Sequence, residues 1–254
     1  MGQPRDQPVD AEERQEIIRE SLDHDGLVRV RNLADQFGVS EMTIRRDLEE
    51  LERLGVLRRV RGGARPLGPR SFPERHRRNA RAKALIAEKL LSLVPETGAI
   101  AFDASTTVLA LASRMGGARR LAVVTNGIPV FQTLLGLPGV RPVLTGGFNE
   151  PETGSLVGPV ACHATRAFTY SRFFTSAASV DADLGATESA CEEAEVKLLI
   201  GSATTETILA VDSSKLDRRS AARTFELADV SLMVTDLEPD DPRLDSYRER
   251  VELL

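Results

Sequence analysis

Five side chains close together, Ser40, Met42, Thr43, Arg45 and Arg46, have the types and spacing to read a DNA duplex. A guanidinium pairs with the O6 and N7 of guanine through two hydrogen bonds, and small hydroxyls fix register on phosphates. A second, dispersed set is suited to a small polar ligand: Asp103, Ser105, Thr106, Thr107, Thr125, Asn126, Gly146, Gly147, Lys197 and Lys215. Neither set is built for metal or redox chemistry. The two cysteines, Cys162 and Cys191, lie far apart, and His24, His76 and His163 are scattered, so neither a metal site nor a cofactor is predicted.

The first set needs a helix. Ser40 can cap its start, and Ile44, Leu48 and Leu51 fall at i, i+4 and i+7 as one apolar stripe. Met42 and Arg46 then point nearly opposite the stripe, with Thr43 and Arg45 on its flanks. Gly55 ends the helix. An ordinary amphipathic helix with solvated arginines has the same pattern, and the flanking sequence decides between them. Asp10 and Glu13 form a capping box for a helix carrying Ile17, Ile18 and Leu22. Leu27 to Val30 suits only a short strand or link. Arg31 to Phe37 reads as a short helix with Leu33, Ala34 and Phe37 inward, and Gly38 supplies a tight turn. This is the helix-turn-helix order. After Gly55, the alternation Val56 to Arg61 running into Gly62-Gly63 predicts a wing that lays Arg58, Arg59 and Arg61 along the phosphate backbone.

A net charge of −5 looks wrong for a DNA binder until it is divided along the chain. From Arg58 to Lys83 ten cations face Glu74 alone, a net of +9 in 26 residues that leaves −14 elsewhere. Phosphate contact beside the helix needs such a block; a solvated basic linker is the plainer alternative. The 254 residues, 41% hydrophobic and 28% charged, suit a soluble protein of one large or two smaller domains. The start MGQPRDQPVD lacks the order of a signal peptide, and no apolar run reaches the ~18 residues of a membrane span. A cytoplasmic location is predicted.

Pro66, Gly68, Pro69 and Pro73 mark a boundary, giving domains at 1–65 and 77–254 with a basic linker at 66–76. Beyond it a helix is predicted from about Arg77 to Leu93. Apolar runs at 99–102, 121–124, 140–144, 172–174, 208–211 and 231–234 then alternate with helices at 106–115, 128–135, 155–168 and 191–203. That alternation implies a mainly parallel sheet covered on both faces. Pro142 either places its run at an edge or argues against a strand there. Each run leads into small or polar residues, where open parallel sheets bind ligands. Ordinary turns use the same residue types, but six such turns together favour a pocket. Ser105 to Thr107 also open a helix, whose free N–H groups suit a phosphate.

The run LADQFGVSEMTIRRDLEELERLGVLRRVRGGA resembles the winged helix-turn-helix of the DeoR family of bacterial transcriptional regulators, at Leu33, Ala34, Val39, Ser40, Thr43 to Leu48, Leu51, Glu52, Gly55, Arg59 and Gly62 to Ala64. Arg61 stands where the family often has histidine. The rest of the chain resembles the family's sensor domain at Asp103-x-Ser105-Thr106-Thr107, Val124-Thr125-Asn126, Thr145-Gly146-Gly147, Gly154 to Gly158, Glu193 to Lys197, Asp212 to Lys215 and Thr235-Asp236. The resemblance implies a sensor fold related to ribose-5-phosphate isomerase that binds phosphorylated sugars or similar metabolites. It also implies Asp181 as an effector residue, the last carboxylate of a Gly-x-Asp-Gly-apolar-Asp loop. This chain departs there: Ala178 replaces the first carboxylate, and Ser176 and Ser179 replace the glycines.

The expected protein is a homodimeric or homotetrameric regulator, a repressor of a sugar or carbon catabolism operon. It binds a double-stranded DNA operator and is relieved by a phosphorylated sugar or related metabolite. One alternative is a regulator whose degenerate sensor no longer binds a sugar phosphate. A more distant one is a sugar-phosphate isomerase-like enzyme using Asp181, Asp183, Glu193 and Lys197 as acid–base groups.

Overall fold

Three N-terminal helices form because their apolar residues meet in one small core. In the computed structural model, which describes residues 10–66 and 72–254, these are α1 (Ala11–Asp25), α2 (Val30–Phe37) and α3 (Glu41–Arg53). Ile18, Leu22, Val30, Leu33, Ile44, Leu48 and Leu51 are buried together. Asp10 caps α1 by accepting the Glu13 N–H at 2.8 Å. Gly38 makes the turn between α2 and α3 with φ 64°, a left-handed conformation that costs other residues more. Strands β1 (Val28–Arg29), β2 (Leu57–Val60) and β3 (Gly63–Pro66) form an antiparallel sheet in the order β1-β3-β2. The β2–β3 hairpin is the predicted wing. The Gly68-Pro69 break, Arg70 and the segment before Asp10 lie outside the described residues.

Contacts divide the chain into two units, before and after Arg70–Ser71. The second opens with α4 (Phe72–Arg77) and α5 (Ala80–Leu91). The helix predicted over 77–93 is α5, which starts three residues later, and part of the predicted linker is helical as α4. The break falls at Asn79, whose φ of 51° no helix interior tolerates. Next come β4 (Thr97–Phe102), α6 (Thr106–Ala112), β5 (Arg120–Thr125), α7 (Ile128–Leu134) and β6 (Val140–Leu144). The hairpin β7 (Phe148–Glu150) and β8 (Ser155–Val157) leads into α8 (Pro159–Thr165). The helix expected over 155–168 thus loses its first residues to a strand, because Ser155 to Val157 pair with Phe148 to Glu150.

The chain continues through β9 (Tyr170–Thr175), β10 (Ser179–Asp181), β11 (Gly185–Glu188), α9 (Cys191–Ser202), β12 (Thr204–Ala210), β13 (Ala222–Arg223), β14 (Leu232–Val234) and α10 (Asp245–Arg248). The main sheet has the order β14-β12-β9-β4-β5-β6, every pair parallel. Pro142 lies on β6, an edge, where a missing N–H is tolerated. Alternate strand residues face opposite layers. Ile100, Phe102, Phe174 and Ile208 pack with Ile86, Leu90, Val108 and Leu134 of α5, α6 and α7. Ala101, Phe173 and Leu209 pack with Ala161, Val196 and Ile200 of α8 and α9. The carboxyl ends of β4, β5, β9 and β12 lie side by side, where the polar turns were expected.

Candidate DNA-reading surface and sensor site

Ser40 starts α3: its Oγ accepts the Thr43 N–H at 3.1 Å and lies 2.9 Å from the Thr43 hydroxyl. The two hydroxyls predicted as phosphate contacts thus already serve the helix cap. Met42 is 61% exposed, high for a thioether, and Arg46 is exposed beside it. Arg45 is also exposed and reaches back one turn to Glu41 at 3.3 Å. The reading face of α3 therefore carries Met42, Arg45 and Arg46. Its opposite face is held by an ion pair the spacing did not reveal, between Asp47 and Arg14 of α1.

On the wing, Arg58 and Arg61 are exposed. Arg59 departs from expectation, because glutamates of α3 engage it. Its Nε lies 2.8 Å from Glu52 Oε2, its Nη1 lies 2.5 Å from Glu49 Oε1, and its backbone N–H donates to Glu52 Oε1 at 2.8 Å. The Arg59 hydrogen bonds, backbone first, hold the Glu52 carboxyl below its usual range. Between α3 and the wing lies a cleft of about 330 Å³ lined by Arg45, Leu48, Glu52, Arg59 and Arg61.

In the second unit, Asp103 sits fully buried just past β4. Its Oδ1 accepts the Ser105 N–H at 2.8 Å; Oδ2 accepts the Ser176 N–H at 2.8 Å and the Thr175 hydroxyl at 2.9 Å. Lys197 of α9 places Nζ 3.0 Å from Asp103 Oδ2 and 2.5 Å from Glu188 Oε1, and donates to the Ser176 carbonyl at 2.7 Å. Burial by itself depresses this lysine, but Asp103, Glu188 and Glu193 outweigh it and hold the ammonium above its ordinary value. Burial likewise pushes the Asp103 carboxyl up, yet Lys197 and the bonds from Ser105 and Ser176 leave it below the usual range. Lys215 donates to the Ser176 hydroxyl at 2.9 Å. Its pKa is lowered, by burial first, with Lys197 adding to the effect and Asp212 and Glu188 opposing it.

The other predicted turns carry bonds of their own. Ser105 caps α6 by accepting the Val108 N–H at 3.1 Å, and Thr106 donates to the Arg75 carbonyl at 3.3 Å. Thr125 accepts the Gly127 N–H at 3.0 Å, and Asn126 donates to the Leu156 carbonyl at 3.1 Å. Gly147, after Gly146, has φ 124°, and a Cβ there would sit 2.5 Å from the Val157 carbonyl, so only glycine fits. Two atoms stay open: Thr107 Oγ1 and Asn126 Oδ1 are buried without a hydrogen-bond partner. Buried polar atoms in that state point to a ligand or an ordered water. Asp181 is not brought to this network. Its carboxylate caps the β10–β11 turn and pairs with Arg219 at 2.7 and 3.0 Å.

Ser176, legible in the sequence as a polar residue past a strand end, sits at the centre of the network. Four contributors escaped sequence reasoning. Glu188 ends a strand too short to signal itself. Asn79 donates to Asp212 Oδ1 at 2.8 Å and to Ser214 Oγ at 2.9 Å. Arg75 donates to the Thr153 carbonyl at 2.9 Å. Lys83, read as part of a DNA-facing cationic block, is only 5% exposed. It donates to the carbonyls of Arg75 and Arg78. Burial, then the neighbouring Lys215, lower its pKa to about 8.

Residues 14–68 match the DeoR-like helix-turn-helix domain, and residues 78–237 match the DeoR C terminal sensor domain. The chain is 34% identical over 247 residues to the lactose phosphotransferase system repressor of Streptococcus mutans, covering 94% of this chain and 98% of the relative. It is 32% identical over 228 residues to the HTH-type transcriptional regulator GolR of Listeria innocua, covering 88% and 90%. Among solved structures, ribose 5 phosphate isomerase A from Neisseria gonorrhoeae overlaps 54% of this chain and 53% of its own, with TM-score 0.38 and 18% identity.

Proposed function

Because the chain belongs to the DeoR family of DNA-binding transcriptional regulators, we propose that it is a cytoplasmic repressor of a sugar-catabolic operon, released from its operator by a phosphorylated sugar. The enzyme reading is set aside, since the relatives that match over 94% and 88% of the chain are regulators. Sugar-linked repression is carried over from the Streptococcus mutans relative, a lactose phosphotransferase system repressor. Met42, Arg45 and Arg46 of α3 read base edges in the major groove, with two copies in a homodimer or homotetramer engaging repeated half-sites.

The observation that carries the effector reading is the buried Asp103–Lys197–Ser176–Lys215 network with Thr107 Oγ1 and Asn126 Oδ1 open in the neighbouring turns. Carboxylate and carbonyl oxygens accept from sugar hydroxyls. Ammonium groups and donor hydroxyls bind phosphate oxygens. An effector acts only through a difference in affinity between DNA-competent and DNA-incompetent arrangements.

A second reading is favoured by one contact. Ser176, glycine in the family pattern, binds Lys215 through its own hydroxyl at 2.9 Å, and the carboxylate expected at position 178 is Ala178. The site is then filled from within and the sensor is silent. Thermal-shift measurements against hexose 6-phosphates, pentose 5-phosphates, free sugars and inorganic phosphate separate the two. An effector at 100 times its Kd adds about 2.7 kcal/mol, so one phosphorylated sugar is expected to raise the Tm while its free sugar does not. If none raises it, the silent-sensor reading stands.

A further inference from the structure

The wing sorts its arginines by strand alternation. Leu57 of β2 is buried against the helices, so Arg59, two residues on, shares its side and Arg58 takes the other. Directly across from Arg58 in the β2–β3 register stands Arg65, also exposed. Two like charges facing each other across a strand pair repel. A phosphate between or beside them removes that cost.

On the other side, three bonds converge from α3 on Arg59. Glu52 uses both carboxylate oxygens, one on the Arg59 backbone N–H at 2.8 Å and one on Nε at 2.8 Å, while Glu49 takes Nη1 at 2.5 Å. A lone surface ion pair adds little. Here the same carboxylate grips side chain and backbone, which fixes where β2 lies against the recognition helix. The glutamates also occupy the guanidinium edges a phosphate would use.

We propose that Arg58 and Arg65 form a pair of phosphate contacts on the wing, and that Arg59, held by Glu49 and Glu52, is a positioning residue that sets the wing against α3. Arg65 is thereby added to the DNA-binding residues, and Arg59 leaves the set that touches DNA.

The test uses the full chain, a labelled duplex selected by the wild type from a random pool, and an unrelated duplex of equal length, with salt varied. Losing one phosphate contact lowers the slope of log K against log salt by about 0.9 for each protomer bound. Arg58→Ala and Arg65→Ala are each expected to show that loss on both duplexes. Arg59→Ala and Glu52→Gln are expected to keep the wild-type slope and to weaken the selected duplex about tenfold, as a displaced base contact does. Binding of the unrelated duplex by Glu52→Gln is expected to stay at the wild-type level, which also shows that the unit is folded. The proposal is overturned if Arg59→Ala lowers the slope by about 0.9 per bound protomer and Glu52→Gln tightens binding by freeing a cation. It is equally overturned if Arg65→Ala leaves the slope unchanged.

Discussion

Arg14 and Asp47 form a buried two-pronged ion pair that ties α1 to the recognition helix, with Nε–Oδ2 at 2.5 Å and Nη2–Oδ1 at 3.0 Å. Asp47 lies between Arg46, which faces outward, and Leu48, which faces the core. The hydrogen bonds that Arg14 donates to Asp47, and the charge of that carboxylate, raise the Arg14 pKa above its ordinary value despite burial. Breaking a buried ion pair by removing one of its members costs about 3–5 kcal/mol. Asp47→Leu is therefore expected to lower the denaturant midpoint of the N-terminal unit sharply, while Arg14→Met/Asp47→Leu recovers most of the loss. Urea unfolding followed by circular dichroism checks both. Equal destabilisation by the single and double variants would contradict the pairing.

Arg46→Ala is expected to abolish specific operator binding without unfolding the chain, because the side chain is exposed and makes no core contact. One bidentate base contact discriminates by about 1–3 kcal/mol, and two copies per dimer double that. Gel-shift titration of the selected duplex measures it. Affinity close to wild type would remove Arg46 from the reading set.

Much of this was legible in the sequence, for physical reasons that differ by region. The helix from Ser40 was readable because cap, stripe and stop are local and repeat at helical spacing. The sheet was readable because a parallel strand buried on both faces is a continuous apolar run, as at Ala99 to Phe102. What stayed hidden is non-local. Ser155 to Val157 reads as a helix start until its partner Phe148 to Glu150 is known. Arg59 reads as a solvated cation until the wing folds back onto Glu49 and Glu52. Lys83 reads as surface charge, yet the chain reversal at Asn79 brings it under the Arg75 and Arg78 carbonyls. Asp181, legible only through a motif, is turned toward Arg219 by the short β10–β11 hairpin.

Lys83 gives a pH signature. Its pKa is about 8 in the fold, against an ordinary 10.5, so the unfolded chain binds more protons between those values. Stability then rises with pH across that window and is flat below it. At 1.36 kcal/mol per unit the gain is on the order of 2–3 kcal/mol by pH 10.5. Unfolding curves at pH 7, 8, 9 and 10 are expected to show a rise in wild type relative to Lys83→Met. Parallel profiles would show that Lys83 titrates normally in the fold.

Ser176→Gly tests the filled sensor site. It removes the hydroxyl that binds Lys215 at 2.9 Å and restores the family's residue. Releasing one such bond is worth about 1 kcal/mol, or roughly fivefold in affinity. Calorimetric titration with sugar phosphates is expected to show tighter binding by Ser176→Gly than by wild type, and weaker binding by Lys215→Met. No change in either variant would place the phosphate elsewhere.

The most direct measurement is titration of the protein bound to its selected duplex with the same sugar phosphates, followed by fluorescence anisotropy. One phosphorylated sugar is expected to release the duplex from wild type, while its unphosphorylated counterpart does not, and Lys197→Met is expected to bind DNA but fail to respond. Duplex binding that no sugar phosphate alters, by a protein whose wild-type fold is intact, would contradict effector-controlled repression.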